Sequence, residues 1–268
     1  MNQGPSFIQL EGVRKVYRGR NEDFLAVSDI TFDVQAGELV SMVGPSGCGK
    51  TTVLKILAGL HSHEDGTVRI GGGGESFDPA RDIGMVFQQP LLLKWRRVIE
   101  NVLLPAEILG LNTAEARDRA GHLLDMVGLT GFAQSYPYEL SGGMQQRAAI
   151  ARALMQEAEI ILADEPISNL DPELAEDALD LLVECVGRRN VTLVVSLHQP
   201  SLAKRFATRL IGLSNGAVMQ DKELFDENFP EEKTDTQQGA LVCATSQVKH
   251  VVELGDGPLP ANVIVNTS

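Results

Sequence analysis

The sequence is poor in cysteine, aromatic residues and basic charge, and it holds no long apolar run. Its three cysteines, Cys48, Cys185 and Cys243, are odd in number and lack metal-ligand spacing. They read as free thiols of a reducing cytosol, which excludes a disulfide framework or a zinc site. Lys and Arg number 23 against 36 Asp and Glu, a formal net charge of -13. Nucleic-acid affinity rests on neutralising phosphates, and attraction to anionic lipid rests on the same charge, so this balance opposes both. No apolar run approaches ~18 residues, so no bilayer-spanning helix is expected. The start, M-N-Q-G-P-S-F, lacks a basic and apolar leader, and a secretory signal is not expected. What remains is a globular composition, 43% hydrophobic and 22% charged, in 268 residues. That is enough for one large domain or two modest ones.

The most informative stretch is G-P-S-G-C-G-K-T-T, comprising Gly44, Pro45, Ser46, Gly47, Cys48, Gly49, Lys50, Thr51 and Thr52. It fits G-x-x-x-x-G-K-[ST], a loop that cradles phosphate. Leu39–Val43 before it is a short, mostly apolar run, as a buried strand requires. Leu54, Leu57 and Ala58 after it recur at helical spacing, with Gly59 placed as a C-terminal cap. Gly44, Gly47 and Gly49 allow a tight turn whose N–H groups approach an anion. A helix starting near Lys50 points its positive end at the same place. Lys50 supplies a cation for the β- and γ-phosphates, and the Thr51 hydroxyl is a ligand for Mg²⁺. The chemistry implied is binding of a nucleotide's phosphates with Mg²⁺.

Ahead of this unit, Phe7–Tyr17 and Leu25–Val34 read as an N-terminal antiparallel β ribbon around the turn at Arg18–Asn21. Tyr17 has two readings, an edge-strand tyrosine or a ring that stacks on adenine. Gly66–Ile70 and Ile83–Phe87 read as further strands, separated by a flexible turn at Gly71–Gly74. Leu91–Arg97 joins the only tryptophan, Trp95, to a knot of positive charge, and reads as an exposed interaction patch or an ordinary loop.

Residues 98–157 turn helical, an inserted subdomain. Thr113 is a cap for a helix with Ala116, Ala120, Leu123 and Val127 on one face, ended by Gly128. Ser141-Gly142-Gly143 starts another, with Met144, Ala148, Ala151 and Leu154 as its stripe. Strands at Ile160–Ala163 and Val191–Ser196 flank a helix opened by Asp171-Pro172, with Leu174, Ala178, Leu181 and Cys185 as its apolar face. Alternating strands and helices give an α/β fold with a mainly parallel sheet core. Beyond Gln220 nine acids stand against three lysines, and residues 221–268 read as an acidic tail or small appendage. Val248–Leu254 is its one candidate strand.

Ile160–Asp164 runs into Glu165, giving an apolar strand that ends in two adjacent carboxylates. Adjacent residues point to opposite sides, which divides their work. Asp164 suits the Mg²⁺ shell. Glu165 suits a general base that deprotonates the attacking water. His198 and Gln88 each follow a strand, on the side where such sheets bind ligands. Gln88 is a metal ligand or a water holder by this argument. Ser141, Gly142 and Gly143 form either a second phosphate device or a well-capped helix start.

Taken together, these motifs resemble the ATP-hydrolysing subunit of an ABC (ATP-binding cassette) transporter, a P-loop NTPase fold, over roughly residues 6–220. The resemblance rests on the P-loop at 44–52, Gln88, L-S-G-G-M-Q-Q-R at 140–147, the Asp164-Glu165 pair, Ser168-Asn169-Leu170-Asp171 and His198. It implies adenine stacking by Tyr17 and γ-phosphate sensing by His198. It implies that Ser141, Gly142, Gly143 and Gln145 close over ATP held by the other protomer of a head-to-tail homodimer. Asp171 is then a helix cap, a cross-dimer link, or both. Transmembrane permease subunits and an extracytoplasmic solute-binding protein are the implied partners, with the cassette at the cytoplasmic face of the inner membrane. Residues 86–105 resemble the nitrate, sulfonate, taurine and thiamine-precursor importers, whereas 196–207 resemble phosphonate importers. A soluble non-transport ABC ATPase acting on ribosomes or DNA is the alternative, which the acidic charge opposes.

Overall fold

The computed structural model describes residues 6–20, 22–71, 77–111, 113–168, 170–187 and 190–224. Contacts divide the chain into Met1–Pro230 and Glu231–Ser268. Cys243, Asn169, the glycines at 72–74, the side chain of Thr113 and the candidate strand at 248–254 lie outside the described residues.

The chain order is β1 (Ile8–Tyr17), β2 (Phe24–Val34), β3 (Leu39–Val43), α1 (Lys50–Leu57), β4 (Asp65–Ile70), α2 (Pro79–Asp82), β5 (Ile83–Val86), α3 (Val98–Ile108), α4 (Thr113–Met126), α5 (Gly142–Met155), β6 (Ile160–Asp164), α6 (Pro172–Gly187), β7 (Thr192–Leu197), α7 (Pro200–Phe206), β8 (Arg209–Ser214) and β9 (Ala217–Glu223). The strands order as β4-β1-β2-β9-β8-β3-β7-β6-β5. β8, β3, β7, β6 and β5 run parallel, so their carboxyl ends share one edge. β1, β2 and β4 pair antiparallel, as expected of a ribbon.

Every residue of β6 and β7 is buried. That follows from helices or sheet covering both faces of a parallel strand. Alternate residues serve two cores. Val40, Met42, Ile160, Leu162 and Val194 face the ribbon and α1. Val43, Ile161, Ala163, Leu193 and Val195 face α3 to α7. Each such valine, leucine, isoleucine or methionine side chain contributes roughly 1.5–3 kcal/mol on burial.

Three features differ from the expectation. The α6 face is rotated: Ala175, Ala178, Leu179, Leu182, Cys185 and Val186 are buried, while Leu174 and Leu181 are only half-buried. α6 packs against both α5 and α7, so two neighbours widen the stripe that one-sided periodicity would place. α5 is buried nearly all round, with Ala149, Ile150, Ala153 and Met155 joining the expected stripe, because it lies between the sheet and the other helices. The apolar interior of α3, α4 and α5 therefore runs into that of the sheet without a break. Finally, β9 continues to Glu223, three residues past the expected boundary at 220, paired antiparallel with β8 from Ser214↔Ala217 to Arg209↔Glu223.

Candidate functional site

The site forms where the carboxyl ends of β3, β6 and β7 meet. After Val43 the chain enters the 44–52 loop and then α1, whose N-cap Gly49 is left-handed and offers no side-chain cap. The first N–H groups of α1 thus stay available to an anion. Gly44, Gly47 and Gly49 have φ of 154°, 79° and 110°. The reason for glycine is not the same at each. A Cβ on Gly44 would lie 2.3 Å from the Leu213 carbonyl oxygen, and one on Gly49 would lie 2.9 Å from that of Ala26. These two are demanded by backbone packed behind the loop, whereas Gly47 meets open space and is demanded by its φ alone. The β8–β9 turn braces the loop, with Gly216 donating to the Cys48 carbonyl at 3.1 Å. The tip, Pro45 to Gly47, is exposed, while Cys48 is buried and is a free thiol.

Lys50 is 3% exposed, and its ammonium donates to the carbonyls of Gly44 at 2.7 Å and Pro45 at 3.2 Å. It also stands 3.8 Å from Glu165 Oε1. The Thr51 hydroxyl donates to Asp164 Oδ1 at 3.0 Å. Glu165 Oε1 meets His198 Nε2 at 2.7 Å. Lys50, Thr51, Asp164, Glu165 and His198 are therefore one cluster, drawn from three strand ends.

Ser196 completes it. This buried β7 hydroxyl donates to Asp164 Oδ1 at 3.0 Å and accepts from the Glu165 backbone N–H at 2.9 Å. Glu165 has φ 46°, a left-handed conformation unusual for a residue with a Cβ. Ser196 is the polar pin that holds this turn. In the sequence it is the last residue of the expected Val191–Ser196 strand and carries no motif. Its one signal is a hydroxyl after the apolar run Leu193–Val195, two residues before His198.

The remaining expected residues lie nearby or apart. Tyr17 sits at the ribbon's end, paired with Phe24, and its hydroxyl is 3.4 Å from Thr52 Oγ1. Gln88 is exposed, two residues past β5. Ser141 is the N-cap of α5 and accepts from the Met144 N–H at 3.3 Å. Gln145 donates to the Leu140 carbonyl at 3.1 Å, and Gly143 packs on Leu170 and Leu174. Ser141 and Gly142 are exposed. Among the described residues, no hydrogen bond or ion pair joins Ser141–Gln145 to the 44–52 loop. The Asp171 carbonyl accepts the first helical bond of α6, from Ala175 at 2.8 Å, so the helix-cap position is occupied as expected.

A second missed set ties α5 to the Gln88 region. Gln146 donates to the Phe87 carbonyl, Arg152 to those of Pro90 and Leu91, and Gln156 to those of Ala80, Arg81 and Ile83. Burial pushes the Arg152 guanidinium below its ordinary value. These contacts flank a groove of about 640 Å³ lined by Leu60, Pro79, Phe87, Leu91, Leu104 and Ile108. Buried Asn101 orders the 93–97 loop ahead of α3. It accepts from Leu93 N–H at 2.6 Å and donates to the carbonyls of Leu93, Arg96 and Arg97, leaving Trp95 74% exposed.

As to Mg²⁺, the donors fit. Thr51 and Asp164 bring hard oxygens together at 3.0 Å. Among the described residues no group of three or more His, Cys, Asp or Glu is placed to hold a metal.

Comparison with known proteins places this geometry. A protein family described as ABC transporter matches residues 27–168. The methionine import ATP-binding protein MetN of Bacillus subtilis is 34% identical, over 97% of this chain and 84% of that one. The phosphonates import ATP-binding protein PhnC 1 of Haloquadratum walsbyi is 39% identical, over 80% of this chain and 72% of that one. A solved dimeric, post-hydrolysis state of the ATP-binding cassette MJ0796, bound to ADP and Pi, superposes with a TM-score of 0.73. It is 36% identical and is matched over 81% of this chain and 98% of that one.

Proposed function

The chain belongs to the ABC transporter family, and from that premise we propose that it binds and hydrolyses ATP as the nucleotide-binding subunit of an importer. The observation that carries the proposal is the single cluster of Lys50, Thr51, Asp164, Glu165 and His198 at the carboxyl edge of the parallel sheet. The 44–52 loop and the start of α1 receive the phosphates. Phosphate oxygens are stronger acceptors than the Gly44 and Pro45 carbonyls and draw the Lys50 ammonium to the β- and γ-groups. Thr51 and Asp164 hold Mg²⁺, with Gln88 as a further ligand or water holder. The ion supplies neutralisation of charge across the phosphates. Glu165 accepts a proton from the attacking water as its oxygen bonds to the γ-phosphorus and the bond to ADP breaks. His198, at hydrogen-bond distance from the same carboxylate, orients it and registers the γ-phosphate.

Ser141, Gly142, Gly143 and Gln145 are assigned to ATP bound on a second copy. The exposure of Ser141 and Gly142 at a helix start, without a bond to the chain's own loop, supports that assignment. Asp171 links the same interface besides starting α6. Residues 6–220, extended to the end of β9, form the cassette, with 98–157 as the helical subdomain and the remainder as an acidic tail or small appendage. The apolar groove beside Gln88 receives an apolar segment of a permease subunit. Its lining includes exposed Leu60, Leu91 and Ile108, and Arg152 connects it to the carbonyls just past Gln88. The chain thus works at the cytoplasmic face of the membrane, through that partner, and with an extracytoplasmic solute-binding protein. Residues 196–207 resemble phosphonate importers and residues 86–105 the nitrate, sulfonate, taurine and thiamine-precursor importers, and the relatives' names divide between methionine and phosphonates. Purified chain is expected to hydrolyse Mg-ATP and to lose nucleotide affinity on Lys50→Ala. Unaltered affinity in that variant would contradict the phosphate assignment.

A further inference from the structure

We infer that His61 is a positioning residue for nucleobase binding: it holds the Tyr17 ring in the orientation at which a base stacks. This rests on the reading of Tyr17 as the stacking surface. His61 lies in the turn after α1, and its Nδ1 is 3.1 Å from the Tyr17 hydroxyl. The two rings meet edge-on, with centroids 5.5 Å apart and planes at 82°. The Thr52 hydroxyl stands 3.4 Å from the same phenol oxygen, so the ring is tied to the phosphate loop's own helix.

The turn grips the ribbon at further points. Glu64 pairs with the Lys15 ammonium at 3.0 Å and accepts from the Val16 N–H at 2.8 Å. Lys15 Nζ in turn lies over the Tyr17 ring, 5.6 Å from its centroid. A strand-end tyrosine held by nothing would exchange rotamers, and each lost orientation lowers the fraction ready to stack. Anchoring at the hydroxyl stops that exchange without covering the π-face. With Lys15 over one face, the base is assigned to the other. His61 therefore acts on the base and not on the phosphates.

Equilibrium binding of ATP and of base-free tripolyphosphate, each with Mg²⁺, tests this on the full chain. Tyr17→Ala is expected to weaken ATP about tenfold, from the usual reach of aromatic–base stacking, and to leave tripolyphosphate alone. His61→Ala is expected to weaken ATP about fivefold, the reach of one hydrogen bond, again without effect on tripolyphosphate. His61→Asn, whose amide reaches the position of Nδ1, is expected to restore ATP affinity. Wild-type ATP affinity in Tyr17→Ala would overturn the stacking reading itself. Loss in Tyr17→Ala but not in His61→Ala would leave that reading standing and overturn the role of His61. Equal weakening of both ligands in His61→Ala, or no recovery in His61→Asn, would also overturn it.

Discussion

Ser196→Ala perturbs the interior of the site at a residue that does not itself meet ATP. The hydroxyl is fully buried and serves the Glu165 N–H at 2.9 Å and Asp164 Oδ1 at 3.0 Å. Alanine removes both bonds and leaves a buried donor unmatched, a loss of about 1–3 kcal/mol. Glu165 sits at φ 46°, a conformation that costs a non-glycine residue roughly 1–2 kcal/mol. The two terms are of one size, so without Ser196 the left-handed turn is no longer favoured. The carboxylate then leaves its 2.7 Å contact with His198. At 1.36 kcal/mol per tenfold, turnover is expected to fall about 5- to 150-fold. ATP affinity is expected to fall less than turnover, because no side chain of the 44–52 loop is replaced. Steady-state phosphate release, a separate nucleotide-binding titration and urea unfolding measure the three quantities. A lower unfolding midpoint with full turnover would refute the claim that Ser196 holds Glu165 in place. An unchanged midpoint would refute the buried bond itself.

Other perturbations separate the remaining parts. Ser141→Arg in one protomer of a mixed dimer is expected to silence the ATP site of the other, read as hydrolysis by defined heterodimers. Full activity there would remove Ser141 from the interface. Asn101→Ala is expected to lower stability by about 1–3 kcal/mol, since it strands buried partners in the 93–97 loop. Fluorescence anisotropy of Trp95 should fall with it as the loop loosens. Glu64 is held below the ordinary carboxylate value, first by the Val16 N–H and then by Lys15. A depressed folded value means stabilisation that is present above the unfolded value and lost as pH falls through the folded one. Glu64→Gln is therefore expected to narrow the gap in unfolding midpoint between neutral and acidic pH.

The parts of the site legible in the sequence are those whose chemistry is local. The 44–52 loop carries its strand, turn and helix within about twenty residues, and Asp164, Glu165 and His198 each follow an apolar strand directly. Residues whose role depends on a distant neighbour were silent. Ser196 matters only because β7 lies beside β6, 31 residues away. Gln146, Arg152 and Gln156 reach carbonyls 59 to 76 residues distant, which spacing along α5 does not signal. Gly44 and Gly49 were read as serving the phosphate, whereas backbone from Leu213 and Ala26 also requires them. β9 was missed because its seven residues are half polar and sit at the edge of the composition change, where only pairing with β8 defines them.

The central claim is that nucleotide sits at residue 50 and is enclosed by a second copy. Sedimentation of Glu165→Gln with Mg-ATP, with bound nucleotide quantified, tests it directly. General-base loss slows turnover about 10²–10⁴-fold, so the closed species should persist through the run. A dimer with one ATP per chain, dissociating when nucleotide is withdrawn, is the predicted result. Single chains carrying no nucleotide at saturating Mg-ATP would contradict it.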